Sequence, residues 1–451
     1  MKKASLLNDY LNKYAVGSHW KLVAEDLENI DQIVVIPAYA EKELIFDTLA
    51  SLAANDDAML ENTLVLSVIN NKAASPVADK ENNAQTLQLF RLLVYRESIS
   101  RCRLSGRMNH LLQSIADRRL RLAFVDASSS GLEIPQHSGG VGMARKIGMD
   151  MALRVLRNTS KEPRTILSLD ADTRVQADYL SAVRRFIASG QARTGVIAYA
   201  HQMPGDDVAK QAICSYEIFL RYWVLGLQYA QSPYAFHSIG STMVTTTDAY
   251  LSVRGMNRRE AGEDFYFLNK LAKTGPIRQI KETVVYPSAR TSVRVPFGTG
   301  AAVGERMANA RQEHTLYDPR IYRILKDWLA LIINSFDRSE SVILAMAKEI
   351  DAGLEAFLIG RRFLSDWPKI RRNTKDQKTY ERQFHCWFDG FETLKLINYL
   401  TKEFYPRIDQ SSALKMILQM LDGEFMDELP HGKVLNLDDQ LKMLSYLRRR
   451  T

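Results

Sequence analysis

The sequence predicts an α/β protein in which helices flank a mostly parallel sheet, followed by an all-helical C-terminal domain. Short apolar runs alternate with amphipathic segments up to about residue 316, and strands that alternate with helices are typical of parallel sheets. From residue 317 the strand-like runs stop, and the remaining segments have apolar side chains at helical spacing. We therefore expect the sheet and the later helices to form separate domains.

The 451 residues are enough for about two to three domains. We expect an N-terminal helical segment over residues 1–30, the α/β domain over residues 31–315 and the helical domain over residues 316–451. Apolar residues at helical spacing between Leu6 and Tyr14 predict one or two amphipathic helices in the first segment.

Buried strands are predicted where short apolar, β-branched runs stand between turn signals. In chain order these runs are Gln32–Pro37, Thr63–Ile69, Arg121–Asp126, Thr165–Leu169, Gly195–Ala200 and Ser238–Val244. Helical spacing predicts the helices Gly142–Leu153, Val208–Gln231, Gly262–Lys273, Tyr322–Asn334, Ser339–Phe363, Lys378–Glu403 and Ala413–Leu421.

The amino-acid composition indicates an ordinary globular protein. Hydrophobic residues make up 46% and charged residues 25% of the chain, as in ordinary globular proteins. The apolar runs fall short of the roughly 20 residues that cross a bilayer, and the basic N-terminus has no apolar core of signal-peptide length. We expect a cytoplasmic protein with at most peripheral membrane contact.

The charge and the cysteine content favour neither a nucleic-acid-binding protein nor one that is held together by disulfides or zinc. The net charge of +8 comes from 60 basic and 52 acidic residues spread along the chain, and this modest excess does not favour a nucleic-acid partner. Cys102, Cys214 and Cys386 are far apart and fit neither a disulfide framework nor a zinc motif. We expect them to be reduced and structural.

Two aspartates follow the predicted strand Thr165–Leu169. With a strand period of two, Asp170 and Asp172 point to the same face. If strand pairing ends after Leu169, that face lies at the carboxyl edge of the sheet, where open α/β folds bind ligands. Two carboxylates there suit a hard divalent cation, which is often held by one or two carboxylates plus substrate phosphates. The alternative is that the pair only ends the strand and starts a turn.

A second acidic pair, Glu263–Asp264, begins the predicted helix Gly262–Lys273. The N-terminus of a helix favours ionised carboxylates, and an ionised carboxylate beside a hydroxyl can act as a general base. The alternative is an ordinary first turn, in which acidic residues are common.

Four segments follow one another along the chain: Val35–Glu41, Gly142–Gly148, Asp170–Asp172 and Gly262–Phe265. Their order and spacing resemble glycosyltransferase family 2 on the GT-A fold. In that family a strand ends in a Pro-Ala-Tyr-Asn-Glu-like loop, followed by an Ala-Arg-Asn-x-Gly helix, an Asp-x-Asp metal motif and a Glu-Asp pair. The resemblance covers the chain from about Gln32 to Pro296.

The resemblance implies an enzyme that moves a sugar from a UDP- or GDP-sugar to the hydroxyl of a glycan or small-molecule acceptor. Asp170 and Asp172 would hold Mn²⁺ or Mg²⁺. The catalytic residues would be Asp264, the general base of an inverting displacement, and its neighbour Glu263, which would position the acceptor. The nucleotide-sugar-binding residues that it implies are Pro37, Ala38, Tyr39, Glu41, Asn70, Arg145, Asp170 and Asp172.

Several positions depart from the pattern of the family. Ala40 and Lys146 replace asparagines, and Asn70 follows the second strand where many members carry an aspartate that reads the base. The departures at Ala40 and Asn70 leave open a catalytically silent GT-A-like domain that binds a nucleotide or glycan, with a helical half that binds a partner. A retaining GT-A transferase, which would use the same metal motif without a general base, is also open.

Two features remain undecided at this stage. Some GT-A enzymes add a histidine to the metal shell, and His237, His201 and His314 are the candidates here, although a lone histidine is more often structural. The segment Ser288–Gly300 carries Arg290 and Arg294 next to glycines. It fits either a lid whose arginine meets the diphosphate or a linker into the helical domain.

Overall fold

A computed structural model of the chain describes residues 2–98, 104–118, 120–137, 139–159, 161–291, 299–308, 314–421 and 435–451. The chain forms two compact units. The first contains Met1–Gln202 and Ser238–Ala301, and the second contains Met203–His237 and Ala302–Thr451. These units group residues 1–30 with the sheet and residues 203–237 with the C-terminal helices, whereas the domain boundaries after residues 30 and 315 stay predictions.

A nine-stranded sheet forms the centre of the first unit. Its strands are β1 (Leu22–Ala24), β2 (Gln32–Ala38), β3 (Thr63–Asn70), β4 (Leu122–Ala127), β5 (Thr165–Ser168), β6 (Arg174–Val175), β7 (Thr194–Tyr199), β8 (Met243–Thr246) and β9 (Ile277–Tyr286). Their order across the sheet is β1-β4-β3-β2-β5-β8-β7-β9-β6.

Most strands of the sheet run in one direction. Strands β2 to β5 are parallel neighbours, and β7 and β9 form a second parallel pair. Strand β8 runs antiparallel between β5 and β7, while β1 and β6 are antiparallel at the two edges. Every residue of β2 and β3 is buried, as expected for parallel strands covered on both faces. The predicted mostly parallel sheet is confirmed.

Three strands of this sheet are not predicted from the sequence, and one predicted strand begins later than expected. Strand β9 alternates exposed and buried residues and contains few consecutive apolar ones, so no apolar run marks it; β1 and β6 are too short to leave a pattern. The run Ser238–Val244 was expected to be a strand from its start, but Gly240–Thr242 forms a 3₁₀ turn and β8 begins at Met243.

Ten helices lie within the first 272 residues of the described chain: α1 (Lys2–Lys13), α2 (Lys42–Ala53), α3 (Asp57–Leu60), α4 (Val77–Val94), α5 (Gly106–Asp117), α6 (Gly140–Leu156), α7 (Tyr179–Ala188), α8 (Asp207–Tyr229), α9 (Thr247–Ser252) and α10 (Glu263–Ala272). All but α8 belong to the first unit. The N-terminal segment forms the single helix α1, and β1 stands where a second helix could have followed.

Helix α6 is buried along nearly its whole length, and it carries a charged network within the core. The fully buried Asp150 accepts hydrogen bonds from Tyr10 Oη (2.7 Å), Tyr250 Oη (2.9 Å), Lys146 Nζ (2.9 Å) and the Val16 backbone N–H (2.9 Å). A buried charge is tolerated only when it is paired and hydrogen-bonded. Lys146, which departs from the family's asparagine, is therefore the counter-ion of Asp150.

The second unit is helical. Besides α8 it contains α12 (Pro319–Ile333), α13 (Glu340–Ile350), α14 (Ala352–Gly360), α15 (Phe363–Arg371), α16 (Gln377–Trp387), α17 (Gly390–Glu403), α18 (Gln410–Met420) and α19 (Leu437–Arg450), whereas α11 (Thr299–Ala308) contains the division after Ala301. Its core surrounds the fully buried Trp328 and Trp367. The predicted helical C-terminal part is confirmed.

Two predicted helices of this unit are each broken in two, for the same reason. The Asp351 carboxylate accepts from the backbone N–H groups of residues 353 and 354, and that of Asp389 accepts from those of residues 391 and 392. Aspartate favours such N-cap bonds over the helix interior. Ser339–Phe363 and Lys378–Glu403 are therefore not continuous helices.

Three smaller expectations can also be compared with the structure. The strands do not all stop at residue 317, because β10 (Thr315–Leu316) pairs with β11 (Ile408–Asp409). Cys214 and Cys386 are free thiols, while Cys102 lies outside the described residues. None of the helices in the described parts of the chain is long and apolar enough to span a membrane.

The Asp150 network generates a prediction about stability. Replacing Asp150 by alanine leaves Lys146 buried without its counter-ion and removes the acceptor of two tyrosine hydroxyls. We expect a loss of about 3–5 kcal/mol in the free energy of unfolding, measured by urea denaturation followed by circular dichroism. Asp117→Ala, at an exposed carboxylate, is the control, expected to change stability by about 0.5 kcal/mol or less. Equal effects of the two substitutions would contradict the role of the network.

Candidate active site

The carboxyl ends of three parallel strands bring the sequence-predicted residues to one edge of the sheet. Strand β2 pairs with β3 up to Ala38–Ile69 and with β5 up to Val35–Ser168. Beyond these pairs the chain continues into the loop at Tyr39, into Asn70 and into Asp170, respectively. Ligands of open α/β sheets bind outside the carboxyl ends of the strands, so the fold places these segments where such a ligand would lie.

Asp170 and Asp172 lie in a turn rather than in the strand. Strand β5 ends at Ser168, and the Thr173 backbone N–H donates to the Asp170 carbonyl at 3.2 Å. The strand period of two, which predicted a common face for the two carboxylates, does not extend to them because the backbone has already turned. Each carboxylate instead has its own arginine partner.

Arg145 links the two acidic motifs. Its guanidinium forms ion pairs with Asp170 and with Glu263, and its Nε donates to Ser168 Oγ at 3.0 Å. The side chain is 3% exposed. Arg145 is therefore not a surface residue of α6, and its guanidinium is covered by the two carboxylates. One buried cation thus brings together residues that are 93 positions apart in the chain.

A glycine and a serine that the sequence did not single out complete the surroundings of Arg145. A Cβ atom on Gly240 would lie 2.0 Å from Arg145 Nη2, so only glycine leaves room for the guanidinium there. Ser241 Oγ donates to Asp170 Oδ2 at 2.5 Å and lies 3.1 Å from Thr173 Oγ1. Nothing in the apolar run around these two residues marked them as part of a site.

Asp172 is paired with Arg290, one of the two arginines of the predicted lid or linker. Arg290 Nε donates to Asp172 Oδ2 at 3.0 Å, and its Nη2 contacts the buried carboxylate of Glu41. Burial and the negative charge of Asp170 raise the pKa of Asp172 to about 6, although Arg290 acts in the opposite direction. Arg294 lies outside the described residues.

Glu263 and Asp264 occupy the first turn of α10, as the sequence predicts. Gly262 precedes them in the left-handed region (φ 67°), which glycine adopts without strain, and Asn257 Nδ2 donates to the Glu263 carbonyl at 2.8 Å. Glu263 is buried, and burial raises its pKa even against Arg145. Burial and the charge of Glu263 raise the pKa of the partly exposed Asp264 to about 7.

The loop after β2 is fixed by contacts with α4. Pro37 and Ala38 are buried at the end of the strand, and Tyr39 Oη donates to Asp79 Oδ2 at 2.5 Å. Ala40 is in the left-handed region (φ 52°) and donates its N–H to Asn83 Oδ1 at 2.9 Å. Asparagine tolerates this conformation better than alanine, which gives the family's asparagine at this position a conformational reason.

Asn70 is buried at the end of β3, where its side chain bonds to the backbone. Its Nδ2 donates to the carbonyls of Ala38 (3.0 Å) and Val68 (3.1 Å) and so ties the ends of β2 and β3 together.

His237 was one of three candidates for a histidine in the metal shell. It belongs to the second unit, and its Nε2 lies 3.1 Å from the Thr451 carbonyl oxygen.

A family model described as "Glycosyl transferase family group 2" matches residues 165–325. The matched range contains both Asp170–Asp172 and Glu263–Asp264. The resemblance to glycosyltransferase family 2 and the prediction of a glycosyltransferase are confirmed by this match. Together with the sheet described above, it confirms a GT-A-like α/β fold.

Several solved structures resemble the chain at low sequence identity. Residues 1–349 of S. aureus TarS in complex with UDP-GlcNAc are 12% identical, with a TM-score of 0.36 and coverage of 94% of this chain and 93% of that one. The mannosyltransferase PcManGT from Pyrobaculum calidifontis in complex with GDP-Man and Mn²⁺ is 14% identical, with a TM-score of 0.36 and coverage of 86% and 95%. No curated protein matches. At these TM-scores the likeness adds nothing to the fold and site described above.

The backbone of the loop after β2 leads to a prediction about stability. An alanine in the left-handed region is strained by about 1–2 kcal/mol, and glycine relieves this strain at an entropic cost of about 0.5–1 kcal/mol. We therefore expect Ala40→Gly to increase the free energy of unfolding by about 0.5–1 kcal/mol in urea denaturation. Ala54→Gly, at an exposed right-handed position (φ −77°), should decrease it by a similar amount. Two changes of the same sign would contradict the strain at Ala40.

Proposed function

We propose that the protein is a metal-dependent, inverting glycosyltransferase. It moves a sugar from a UDP- or GDP-sugar to the hydroxyl of a glycan or small-molecule acceptor. The observation that carries the proposal is the buried Arg145, which pairs with Asp170 of one acidic motif and Glu263 of the other. A site with a metal-type carboxylate pair on one side and a separate ionisable carboxylate, Asp264, on the other fits a direct displacement.

Asp170 and Asp172 are the residues that would hold Mn²⁺ or Mg²⁺. Among the described residues no three His, Cys, Asp or Glu side chains form a metal-binding group, so the remaining ligands would be donor phosphates and water, as is common for such ions. Asp172 is 20% exposed and lies in the field of Asp170, so a cation there relieves like-charge repulsion. The bound metal would neutralise the charge of the departing nucleoside diphosphate.

Asp264 is the proposed general base. It accepts the proton of the acceptor hydroxyl while that oxygen bonds to the anomeric carbon and the bond from this carbon to the nucleoside diphosphate breaks. A base works best when its pKa lies near the working pH, and burial brings the pKa of Asp264 to about 7. Glu263 cannot take this role, since Arg145 occupies its carboxylate in the core.

The donor would lie along the carboxyl ends of β2 and β3. Tyr39, held by Asp79, and the neighbouring residues Pro37, Ala38 and Glu41 form one side of this edge, and Asn70 forms the next. Asn70 uses its amide N–H groups to fix the backbone of β2. Its role in binding is therefore to shape the edge of the pocket that receives the nucleotide.

The proposal is tested by incubating the protein with Mn²⁺, a panel of UDP- and GDP-sugars and candidate acceptors, and measuring nucleotide release. Asp264→Asn keeps the size and hydrogen bonds of the side chain but removes the base. We expect it to lower kcat by about 10²–10⁴-fold while the donor still binds in calorimetry. Asp172→Asn should instead weaken the binding of Mn²⁺ and the donor.

The outcomes separate the alternatives. Donor binding without any turnover would favour the catalytically silent domain, and unchanged kcat in Asp264→Asn would remove the base assignment. The anomeric configuration of the product, read by NMR, should be inverted relative to the donor. Retention would replace the inverting mechanism by a retaining one.

A pH dependence follows from the raised pKa of Asp264. The base is active only when ionised, so kcat/KM should rise with pH, reach half of its plateau near about pH 7 and fall tenfold per unit at lower pH. Initial rates with saturating Mn²⁺, measured over about two units on either side of pH 7, provide the check. A profile that stays flat across this range would contradict Asp264 as the base.

A further inference from the structure

Arg290 bridges two carboxylates that belong to different parts of the proposed site. Its Nε donates to Asp172 Oδ2 at 3.0 Å, and its Nη2 contacts Glu41 Oε1. The two acidic residues differ in exposure, since Glu41 is 8% and Asp172 is 20% exposed. The Arg290 guanidinium therefore neutralises the Asp172 carboxylate, to which a metal ion would also bind.

The two arginines of the site differ in how firmly they are held. Arg145 is 3% exposed and is fixed by Asp170, Glu263 and Ser168. Arg290 is 36% exposed and pairs with two carboxylates, one of them the more exposed Asp172. Ion pairs of partly exposed groups contribute little to stability, so the contact between Arg290 and Asp172 can be broken at small cost.

We propose that Arg290 acts as an exchangeable cation, which holds Asp172 in the metal-free protein and gives up this carboxylate when a divalent cation binds. This inference rests on the proposed metal-dependent function. Glu41 retains the guanidinium after the exchange, so its charge stays beside the site. When the metal binds, the positive partner of Asp172 changes from the guanidinium to the divalent ion. The Asp172 carboxylate therefore has a positive partner before and after the exchange, beside the negative charges of Asp170 and Glu41.

The experiment is a titration of the full-length protein with Mn²⁺ in the absence of nucleotide, with free Mn²⁺ measured by electron paramagnetic resonance. Arg290→Gln removes the competing charge, so we expect it to bind Mn²⁺ about two- to fivefold more tightly than the wild type. Arg174→Gln is the matched control, because it removes an arginine two positions from Asp172 that is 53% exposed and pairs with Asp47 instead. The control should leave Mn²⁺ affinity unchanged.

Unchanged or weaker Mn²⁺ binding in Arg290→Gln would overturn the exchange, as would an equal gain in Arg174→Gln. Should Arg290→Gln fail to fold by circular dichroism, Arg290→Met decides in the same way, since it also removes the competing charge. The wild type and Asp172→Asn report on the proposed function separately. If the wild type does not bind Mn²⁺ even with UDP or GDP, the metal-dependent function itself fails; if Asp172→Asn abolishes binding but Arg290 has no effect, only the exchange fails.

Discussion

The buried guanidinium of Arg145 is the interaction on which the candidate site depends. It lies between Asp170, which follows β5, and Glu263, which begins α10, and it has almost no contact with solvent. Removing one partner of a buried ion pair leaves an uncompensated charge, which is far more costly than the pair is favourable. Each of the three charges can therefore stay buried only because the others are present.

This arrangement also separates the roles of neighbouring acids. Glu263 and Asp264 are adjacent in sequence, yet Arg145 holds the first in the core, while the second is partly exposed with a pKa near neutrality. Asp170 and Asp172 differ in a similar way, since one is bound by Arg145 and Ser241 and the other by the more exposed Arg290. In each motif one carboxylate pairs with the buried Arg145, and its neighbour does not.

Part of this site could be predicted from sequence, because its acidic residues follow a strand or begin a helix where local patterns are strong. The glycine before Glu263 correctly placed that motif on the first turn of α10, whereas Asp170 and Asp172 lie in the turn after β5 and not on the strand. Gly240 and Ser241 could not be predicted, because their importance lies in the space they leave for, and the bond they make to, residues far away in the chain. The helix breaks at Asp351 and Asp389 had a local signal, the N-cap aspartate, which helical periodicity outweighed.

The network around Asp150 connects helix α6, which carries Arg145 of the candidate site, to the first sixteen residues of the chain. Tyr10 of α1 and the backbone of Val16 bind the carboxylate that lies little more than one helical turn after Arg145 on α6. A shortened chain that lacks these residues would keep every acidic motif and still lose two of the anchors that set the position of α6. The N-terminal helix therefore helps to hold α6, the helix that carries Arg145, in position. The candidate site thus depends on residues that precede its first motif in the sequence.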